Sequence, residues 1–252
     1  VNAPALAEYD AAVAATFTSN TNTMSSLAYV TVGTGVGVGL IVNGKCVHGR
    51  MHPEGGHVPV QPLKDDPFPG YSWGGKSPFQ GKQTVESIAS SVALTERLEQ
   101  LEKIQHSSRN VLADLPDDHP VWDHAANALA NLCVTLLLVN SMECILLGGG
   151  VMKRPGLMEK VRKQTVTLLN GYLELPSDMS TLIRKPSYGD EAGLVGTVVL
   201  AQKAFEEHQQ GGSNEKSGGE EPTSNSYWRG ILHGLALAAA TAFVVTTAKR
   251  RT

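Results

Sequence analysis

The sequence predicts an α/β protein, because short apolar strands alternate with longer segments of helical periodicity. Strand-forming residues flank a glycine-rich turn over residues 29–45, and a second apolar strand covers 143–147. Apolar residues recur every three or four positions over 84–105, which is the spacing of a helix that buries one face. Hydrophobic residues make up 41% of the chain and charged residues 18%, a composition that suits a folded core.

The first predicted element is an alanine-rich helix over 2–17, which a polar loop separates from the glycine-rich hairpin. A third short strand is expected around 46–48. It precedes a loop over 49–81 that is rich in proline and glycine. A loop of this length inside a folded domain is usually functional or an insertion.

Further helices are expected from Pro120 and from Pro155, since proline suits the first turn of a helix. A short strand is expected at 182–183. The last helix of the folded region covers 192–205, and its two glycines predict close packing against a neighbour. The expected domain therefore covers residues 1–205.

The composition changes abruptly after Phe205. Residues 206–229 are mostly polar and predict a disordered linker. Residues 230–248 carry no formal charge and are flanked by basic residues, and about 20 apolar residues suffice to span a bilayer. We therefore expect a C-terminal transmembrane helix and a basic tail over 249–252, which would anchor a cytosol-facing protein to a membrane. An amphipathic or core helix is the alternative.

Charge and aromatic content argue against a nucleic-acid partner. The formal net charge is -3, and aromatic residues make up only 6% of the chain.

The three cysteines, Cys46, Cys133 and Cys144, are scattered and form no CxxC pair. We therefore expect buried thiols in a reducing compartment rather than disulfides or a metal site.

The turn of the hairpin is the first candidate binding site. Gly33, Thr34 and Gly35 follow a strand that contains Thr31, and glycine allows backbone N–H groups to approach an anion closely. No GK[ST] follows, and the glycines lead into a strand rather than a helix, which argues against a Walker A loop and a dinucleotide fingerprint. The arrangement resembles the phosphate clamp of actin-like kinases; an ordinary glycine-rich hairpin is the alternative.

Two further motifs carry chemistry. Glu54 and His57 stand three residues apart in HPEGGH, where a carboxylate and an imidazole can hydrogen-bond sugar hydroxyls. A solvated loop is the alternative, and a metal site is disfavoured because the segment is not a helical HExxH.

Gly148, Gly149 and Gly150 end an apolar strand. Adenine or ribose could lie against the backbone there, because glycine has no side chain; a packing turn is the alternative.

In this order the motifs resemble those of the ROK family of sugar kinases, and most closely the bacterial-type fructokinases. The matching segments are VNAPALAE, TVGTGVGVGLIVNGK, HPEGGHV, ILLGGGV and YGDEAGLVG, which spread over residues 1–205. The resemblance implies the C-terminal lobe of an actin-like ATPase (ribonuclease H-like) fold, with a mixed sheet and flanking helices.

The resemblance also implies a reaction, the ATP-dependent phosphorylation of a hexose, most simply of D-fructose to fructose 6-phosphate, with Mg²⁺ on the phosphates. It implies that the sugar is bound by Asn2, Glu54, His57 and Glu86, the phosphates by Thr31, Gly33, Thr34 and Gly35, and the nucleoside by Gly148, Gly149 and Gly150. For Glu86, a charge at the N-terminus of a helix is the alternative. It leaves a homodimer open and gives no reason to expect nucleic acid.

The chain departs from the family pattern at two places. The catalytic aspartate of the family stands just before the position of Val1, and the N-terminal lobe precedes it. We therefore expect no catalytic base in this chain and no activity from it alone; the alternative is a non-catalytic, membrane-tethered module that binds sugar or nucleotide. Residues 77–83 replace the cysteines and histidine of the family's zinc segment, so zinc is not expected.

Overall fold

A five-stranded mixed sheet forms the centre of the fold. The computed structural model describes residues 1–19, 24–72, 76–104 and 111–211. The strand order is β3-β2-β1-β4-β5. The strands are β1 (Ser26–Val32), β2 (Val36–Val42), β3 (Lys45–Cys46), β4 (Cys144–Gly148) and β5 (Ile183–Arg184).

The directions of the strands make the sheet mixed, as predicted. β1 pairs antiparallel with β2, and β2 with β3, while β1 pairs parallel with β4 and β4 with β5. Glu143 fixes the start of the parallel pair, since one carboxylate oxygen accepts hydrogen bonds from the backbone N–H groups of Ser25 at 2.6 Å and Ser26 at 2.7 Å. These bonds, together with those from the two serine hydroxyls, hold the pKa of Glu143 below its ordinary value despite the opposing effect of burial.

Helices cover both faces of the sheet. They are α1 (Asn2–Ser19), α2 (Val85–Ala89), α3 (Ser91–Arg97), α4 (Val111–Asp114), α5 (Val121–Asn140), α6 (Leu157–Leu169) and α7 (Ala192–Gly211). On one face, Leu27 and Tyr29 of β1 pack with Leu6 of α1 and Ala192 of α7. The alternate residues of β1, Ala28, Val30 and Val32, pack with α2, α3, α5 and α6 on the other face.

The predicted helix over 84–105 is in fact broken. Ser90 is extended (φ -67°, ψ 154°) between α2 and α3, and its hydroxyl accepts a hydrogen bond from the backbone N–H of Ala93. Thr84 caps α2 in the same way through Ser87. The apolar stripe indicated the buried face, but it did not show that Ser90 starts a second helix, because a cap needs only one residue and leaves the periodicity almost unchanged.

Other boundaries also differ from the sequence-based expectation. β3 covers Lys45–Cys46 rather than 46–48, and α6 begins at Leu157 after Gly156, whose φ of 75° suits glycine. The chain divides after Phe205, but α7 continues to Gly211, so residues 206–211 are helical where a linker was predicted.

The remaining C-terminal predictions, namely the linker over 212–229, the transmembrane helix over 230–248 and the basic tail over 249–252, lie outside the described residues. In the described part of the chain, only α5 is long and apolar enough to cross a membrane by length and composition. Most of α5 is buried among the other helices and the sheet, as in the core helix of a globular domain.

Two of the predicted packing features are present. A Cβ atom on Gly196 would lie 2.3 Å from the backbone carbonyl carbon of Ala3, so glycine lets α7 approach α1 closely.

Cys133 and Cys144 are buried and Cys46 is half-buried, all three as free thiols. Burial raises the pKa of the Cys133 thiol to about 12.

An ion pair anchors the long loop over 49–81 to the helices. Asp66 in this loop and Arg97 at the end of α3 form two hydrogen bonds of 2.8 and 2.5 Å, and their side chains are 1% and 4% exposed. His124 of α5 lies 3.0 Å from the same carboxylate, and the Arg97 guanidinium stacks on Phe68. The loop is therefore held by charge as well as by apolar contacts.

Asp66→Asn tests this anchor. Burial opposes ionisation of Asp66, but the hydrogen bonds from Arg97 and from the N–H of Phe68 outweigh it and lower its pKa below the ordinary 3.8. Because the substitution leaves Arg97 buried and unpaired, we expect the free energy of unfolding to fall by about 3–5 kcal/mol at pH 7. The difference between wild type and variant should shrink as the pH falls below 3.8, where the folded protein begins to lose the Asp66 charge.

Denaturant titration at several pH values measures this difference. The matched control is Asp65→Asn, since Asp65 is exposed and precedes Asp66 directly. Equal stability losses for the two variants at pH 7 would contradict an anchoring role for Asp66.

Candidate active site

A cavity of about 640 Å³ lies where the β1–β2 turn meets the turn after β4. Gly33 and Thr34 from the first turn and Gly150 from the second line this cavity. The structure thus brings the predicted phosphate-binding and nucleoside-binding residues to one place. The parallel pairing of β1 with β4 causes this, since Thr31 lies opposite Gly148 and both strands end at the same edge of the sheet.

Two smaller cavities adjoin the glycine turn after β4. Thr31, Tyr29 and Gly149 line one of about 270 Å³, and Gly148 and Gly149 line another of about 230 Å³ that also contacts Asp190. Burial, followed by the charges of Glu8 and Asp190, raises the pKa of the Tyr29 hydroxyl. Tyr29 is therefore a neutral hydrogen-bonding group beside these turns.

Glycine is required at position 149. Its φ is +94°, and a Cβ atom there would lie 2.5 Å from the carbonyl oxygen of Val32. A Cβ atom on Gly148 would lie 2.8 Å from the ring of Pro186. The turn is therefore pressed between β1 and the segment after β5, and side chains would force it apart.

The predicted sugar residues Glu54 and His57 stand at a 3₁₀ turn over Gly55–His57. The Glu54 carboxylate is 2.8 Å from Nε2 of His52 and 3.9 Å from Nε2 of His57. A Cβ atom on Gly56 would lie 2.0 Å from the carbonyl oxygen of Val36, so the turn packs tightly against β2. Nδ1 of His57 is buried and has no hydrogen-bond partner.

Asn2, a further predicted sugar residue, stands at the start of α1. Its side-chain nitrogen donates a hydrogen bond of 3.3 Å to the carbonyl of Val47, and its Oδ1 atom is buried without a partner. The preceding Val1 packs on β2, because a Cβ atom on Gly39 would lie 2.6 Å from the carbonyl oxygen of Val1. Asn2 therefore contacts β2 and Val47 rather than Glu54.

The last predicted sugar residue, Glu86 of α2, lies at the glycine-rich turn. One carboxylate oxygen accepts a hydrogen bond of 3.0 Å from the backbone N–H of Val36, and the other accepts one of 2.8 Å from the hydroxyl of Ser72. Gly35 lies directly beside this carboxylate. Glu86 is thus close to predicted phosphate-binding residues as well as being a predicted sugar ligand.

Several residues that line the cavity of about 640 Å³ did not emerge from the sequence. They are Ser91, Leu112, Ala113, Trp122, Val151, Lys153, Arg154 and Pro155. Lys153 and Arg154 follow the glycine turn after only two residues. Their positive charges so close to a predicted nucleoside-binding motif could have identified them as candidate site residues. Ser91, Leu112 and Trp122 come from distant segments, and no local pattern distinguishes them from ordinary helix residues.

Arg154 joins the walls of this cavity. Its guanidinium donates hydrogen bonds to the carbonyls of Leu112 and Leu115 and stacks on the Trp122 ring at 4.5 Å from the centroid. Trp122 in turn donates to the carbonyl of Pro116 at 2.9 Å. Lys153 instead pairs with Asp190 at 2.7 Å, and both of these side chains are exposed. Lys153 is therefore the accessible cation at the cavity.

Among residues 1–19, 24–72, 76–104 and 111–211, no three His, Cys, Asp or Glu side chains are arranged to hold a metal ion. In the segment that corresponds to the family's zinc motif, Ser77 donates a hydrogen bond of 3.1 Å to the hydroxyl of Ser72. The expectation that zinc does not bind here stays a prediction.

The mixed sheet and its flanking helices have the fold of one lobe of the actin-like ATPases. Solved structures of this kind resemble the chain at low sequence identity. A ROK hexokinase from Thermus thermophilus matches with a TM-score of 0.62 at 24% identity, covering 82% of this chain and 64% of the other. A ROK family glucokinase from Streptomyces griseus, in complex with glucose and AMPPNP, matches with a TM-score of 0.57 at 21% identity, covering 80% and 66%.

The chain belongs to the ROK family, whose model matches residues 1–204. Curated relatives include a fructokinase from Zymomonas mobilis, 34% identical over 200 residues, which are 77% of this chain and 60% of the relative. A fructokinase from Lactococcus lactis is 32% identical over 184 residues, 72% of this chain and 58% of the relative. The chain therefore spans about three fifths of the length of these relatives.

Arg154→Ala tests how the cavity wall is held. The variant loses the hydrogen bonds to α4 and the contact with Trp122, so we expect water to reach the indole and its fluorescence emission to shift to longer wavelength. Replacing Trp73 and Trp228 by phenylalanine isolates the Trp122 signal. The free energy of unfolding should fall by about 2 kcal/mol, because hydrogen bonds to a charged group are lost. Lys163→Ala, on the exposed surface of α6, is the control; an unshifted Trp122 emission in Arg154→Ala would refute the role.

Proposed function

We propose that the chain forms the larger lobe of an ATP-dependent hexose kinase that converts D-fructose to fructose 6-phosphate. Membership of the ROK family supports the sugar-kinase activity, and the names of the curated relatives support fructose as the sugar. The observation that carries the proposal is the pair of unsatisfied polar atoms on Asn2 and His57.

Buried polar atoms in proteins nearly always have a hydrogen-bond partner. In the described part of the chain, four buried side-chain atoms have none, and they belong to Asn2, Glu8, His57 and Arg97. Two of these four residues, Asn2 and His57, are among the four that the motifs assign to the sugar. A sugar hydroxyl both donates and accepts, so it can satisfy either Oδ1 of Asn2 or Nδ1 of His57.

The cavity of about 640 Å³ between the two glycine turns fits a nucleotide. This volume lies within the usual range for small-molecule sites, and Lys153 adds a positive charge beside the glycine turns. No carboxylate lines it among the described residues; Asp190 lines the adjoining cavities instead. Mg²⁺ would therefore be held mainly by the phosphates of ATP, with Asp190 of the adjoining cavities as one protein candidate.

Bound MgATP would supply the γ-phosphoryl group, and the residues of this chain would mainly bind and orient. The backbone N–H of Thr34 would hold a phosphate oxygen, since the N–H of Gly33 already donates to the carbonyl of Gly35 at 2.9 Å. Glu54 and His57 would orient the sugar. Removal of the proton from the attacking sugar hydroxyl is assigned to the aspartate that the family pattern places just before the position of Val1. Residues 1–252, which do not include that position, would therefore bind substrates without transferring phosphate.

Calorimetric titration of the 252-residue chain with AMPPNP and with D-fructose tests this proposal. We expect binding of both, no fructose phosphorylation, and weaker binding of glucose and mannose than of fructose. Glu54→Ala and His57→Asn should each weaken fructose binding at least about tenfold, because the first removes a hydrogen-bond acceptor of the sugar and the second removes the imidazole. The control is His48→Asn, which changes an exposed histidine of the same loop region.

The outcomes separate the competing functions. Absence of sugar binding would refute the kinase assignment. Binding of both ligands by a chain extended to include the family aspartate, without any turnover, would favour the non-catalytic binding module instead.

We further propose that residues 230–248 anchor this lobe to a membrane with the lobe on the cytosolic side. The support is the uncharged composition of the segment and its flanking basic residues. A fluorescent reporter fused to residues 226–252 should sediment with membranes and resist extraction by carbonate. As the control, Leu237→Arg places a charge near the middle of the segment and should release the reporter; a wild-type fusion that remains in the supernatant would end the proposal.

A further inference from the structure

We propose that Glu86 is a positioning residue for the glycine-rich turn over 33–36, which it holds in the shape that receives the nucleotide phosphates. This inference rests on the proposed function and assigns Glu86 a role at the nucleotide as well as at the sugar. The juxtaposition that supports it is the Glu86 carboxylate on the N–H of Val36, with Ser91 on the carbonyl of Gly33.

Both oxygens of the Glu86 carboxylate are engaged. One accepts from the backbone N–H of Val36 at 3.0 Å, and the other from the hydroxyl of Ser72 at 2.8 Å. Hydrogen bonds to an ionised acceptor are stronger than those between neutral groups. Ser72 therefore orients the carboxylate, and the carboxylate fixes Val36, the first residue of β2.

The absence of a side chain at Gly35 makes room for this contact. A Cβ atom there would lie 2.7 Å from the Glu86 oxygen and 3.4 Å from its carboxyl carbon. Gly35 is not among the glycines with positive φ, so backbone conformation does not require glycine at this position. A Cβ atom on Gly33, by contrast, would meet nothing within 4 Å. A Cβ atom at position 35 would therefore displace the Glu86 carboxylate.

The break between α2 and α3 allows a second hydrogen bond to the turn. Because Ser90 is extended, the N–H of Ser91 is free to leave the helical pattern, and it donates a hydrogen bond of 2.7 Å to the carbonyl of Gly33. Gly33 and Val36 are the two ends of the turn. Two adjacent short helices therefore hold the turn at both ends. In a single continuous helix, the N–H of Ser91 would instead point along the helix axis.

Glu86 acts on the turn and not on the cavity itself. Gly33, Thr34 and Ser91 line the cavity of about 640 Å³, whereas Glu86 does not. Ordering a flexible residue costs about 1–2 kcal/mol, and glycine has the most freedom to lose. A turn that is already held in the free protein avoids part of this cost when the nucleotide binds.

The helix that carries Glu86 also contacts the predicted sugar segment. The N–H of Val85 donates a hydrogen bond of 3.2 Å to the carbonyl of Val58, which directly follows His57. α2 therefore connects the segment that holds His57 with the turn that holds Gly33.

The test compares Glu86→Ala, Glu86→Gln and the control Glu174→Ala in the full chain, with AMPPNP as the probe and no sugar present. Glu174 is an exposed glutamate after α6. We expect AMPPNP affinity to fall about tenfold in Glu86→Ala and to stay near wild type in Glu86→Gln, because the amide oxygen can still accept from Val36. Hydrogen exchange of the Val36 amide should be faster in Glu86→Ala only.

A double-mutant cycle with Gly35→Ala sharpens the test. The added methyl group should displace the Glu86 carboxylate, so Gly35→Ala should reduce AMPPNP affinity as Glu86→Ala does. The two effects should not add in the double variant. Additive effects would overturn the assignment of Gly35 to the Glu86 contact.

The remaining outcomes are also decisive. If Glu86→Ala weakens fructose binding but leaves AMPPNP affinity and Val36 exchange unchanged, Glu86 is a sugar ligand alone and the inference is wrong. If the wild-type chain does not bind AMPPNP, the proposed function fails, and Val36 exchange alone then decides whether Glu86 holds the turn. An equal loss of affinity in Glu86→Gln would contradict a hydrogen bond to Val36.

Discussion

The parallel pairing of β1 with β4 is the interaction on which the rest of the candidate site depends. It joins segments more than a hundred residues apart, and it alone brings the glycine turn after β1 next to the glycine turn after β4. Glu143 sets its register through Ser25 and Ser26 at the opposite end of the strands. A slip by one residue would send the residues that face α1 toward α5 and would separate Thr31 from Gly148.

Local features of the site could be predicted from sequence, because a turn or a strand end is encoded within a few residues. The turn at Gly33, the turn at Gly149 and the 3₁₀ turn at His57 all stand where their motifs indicate. Trp122 could not be found in this way, because its place in the cavity depends on Arg154 from another segment. Nor could periodicity reveal the break at Ser90, since a capping serine alters one backbone angle and leaves the apolar stripe intact.

Glycines in the two turns serve different physical purposes, which composition alone does not distinguish. Gly149 needs both its positive φ and its close approach to Val32. Gly35 has an ordinary backbone conformation and needs only the space that the Glu86 carboxylate occupies. The structure shows that one is constrained by the backbone and the other by a side chain fifty residues away.

The five residues of α2 cannot form a stable helix alone, because helix nucleation costs more free energy than one or two turns return. The short helix is stabilised instead by burial of Val85, Ile88 and Ala89 in the main core and by the Thr84 cap. Much of that core comes from α5, a long apolar helix that packs on α2, α6 and the sheet. Through Glu86, the position of the glycine-rich turn depends on how well α2 packs on α5.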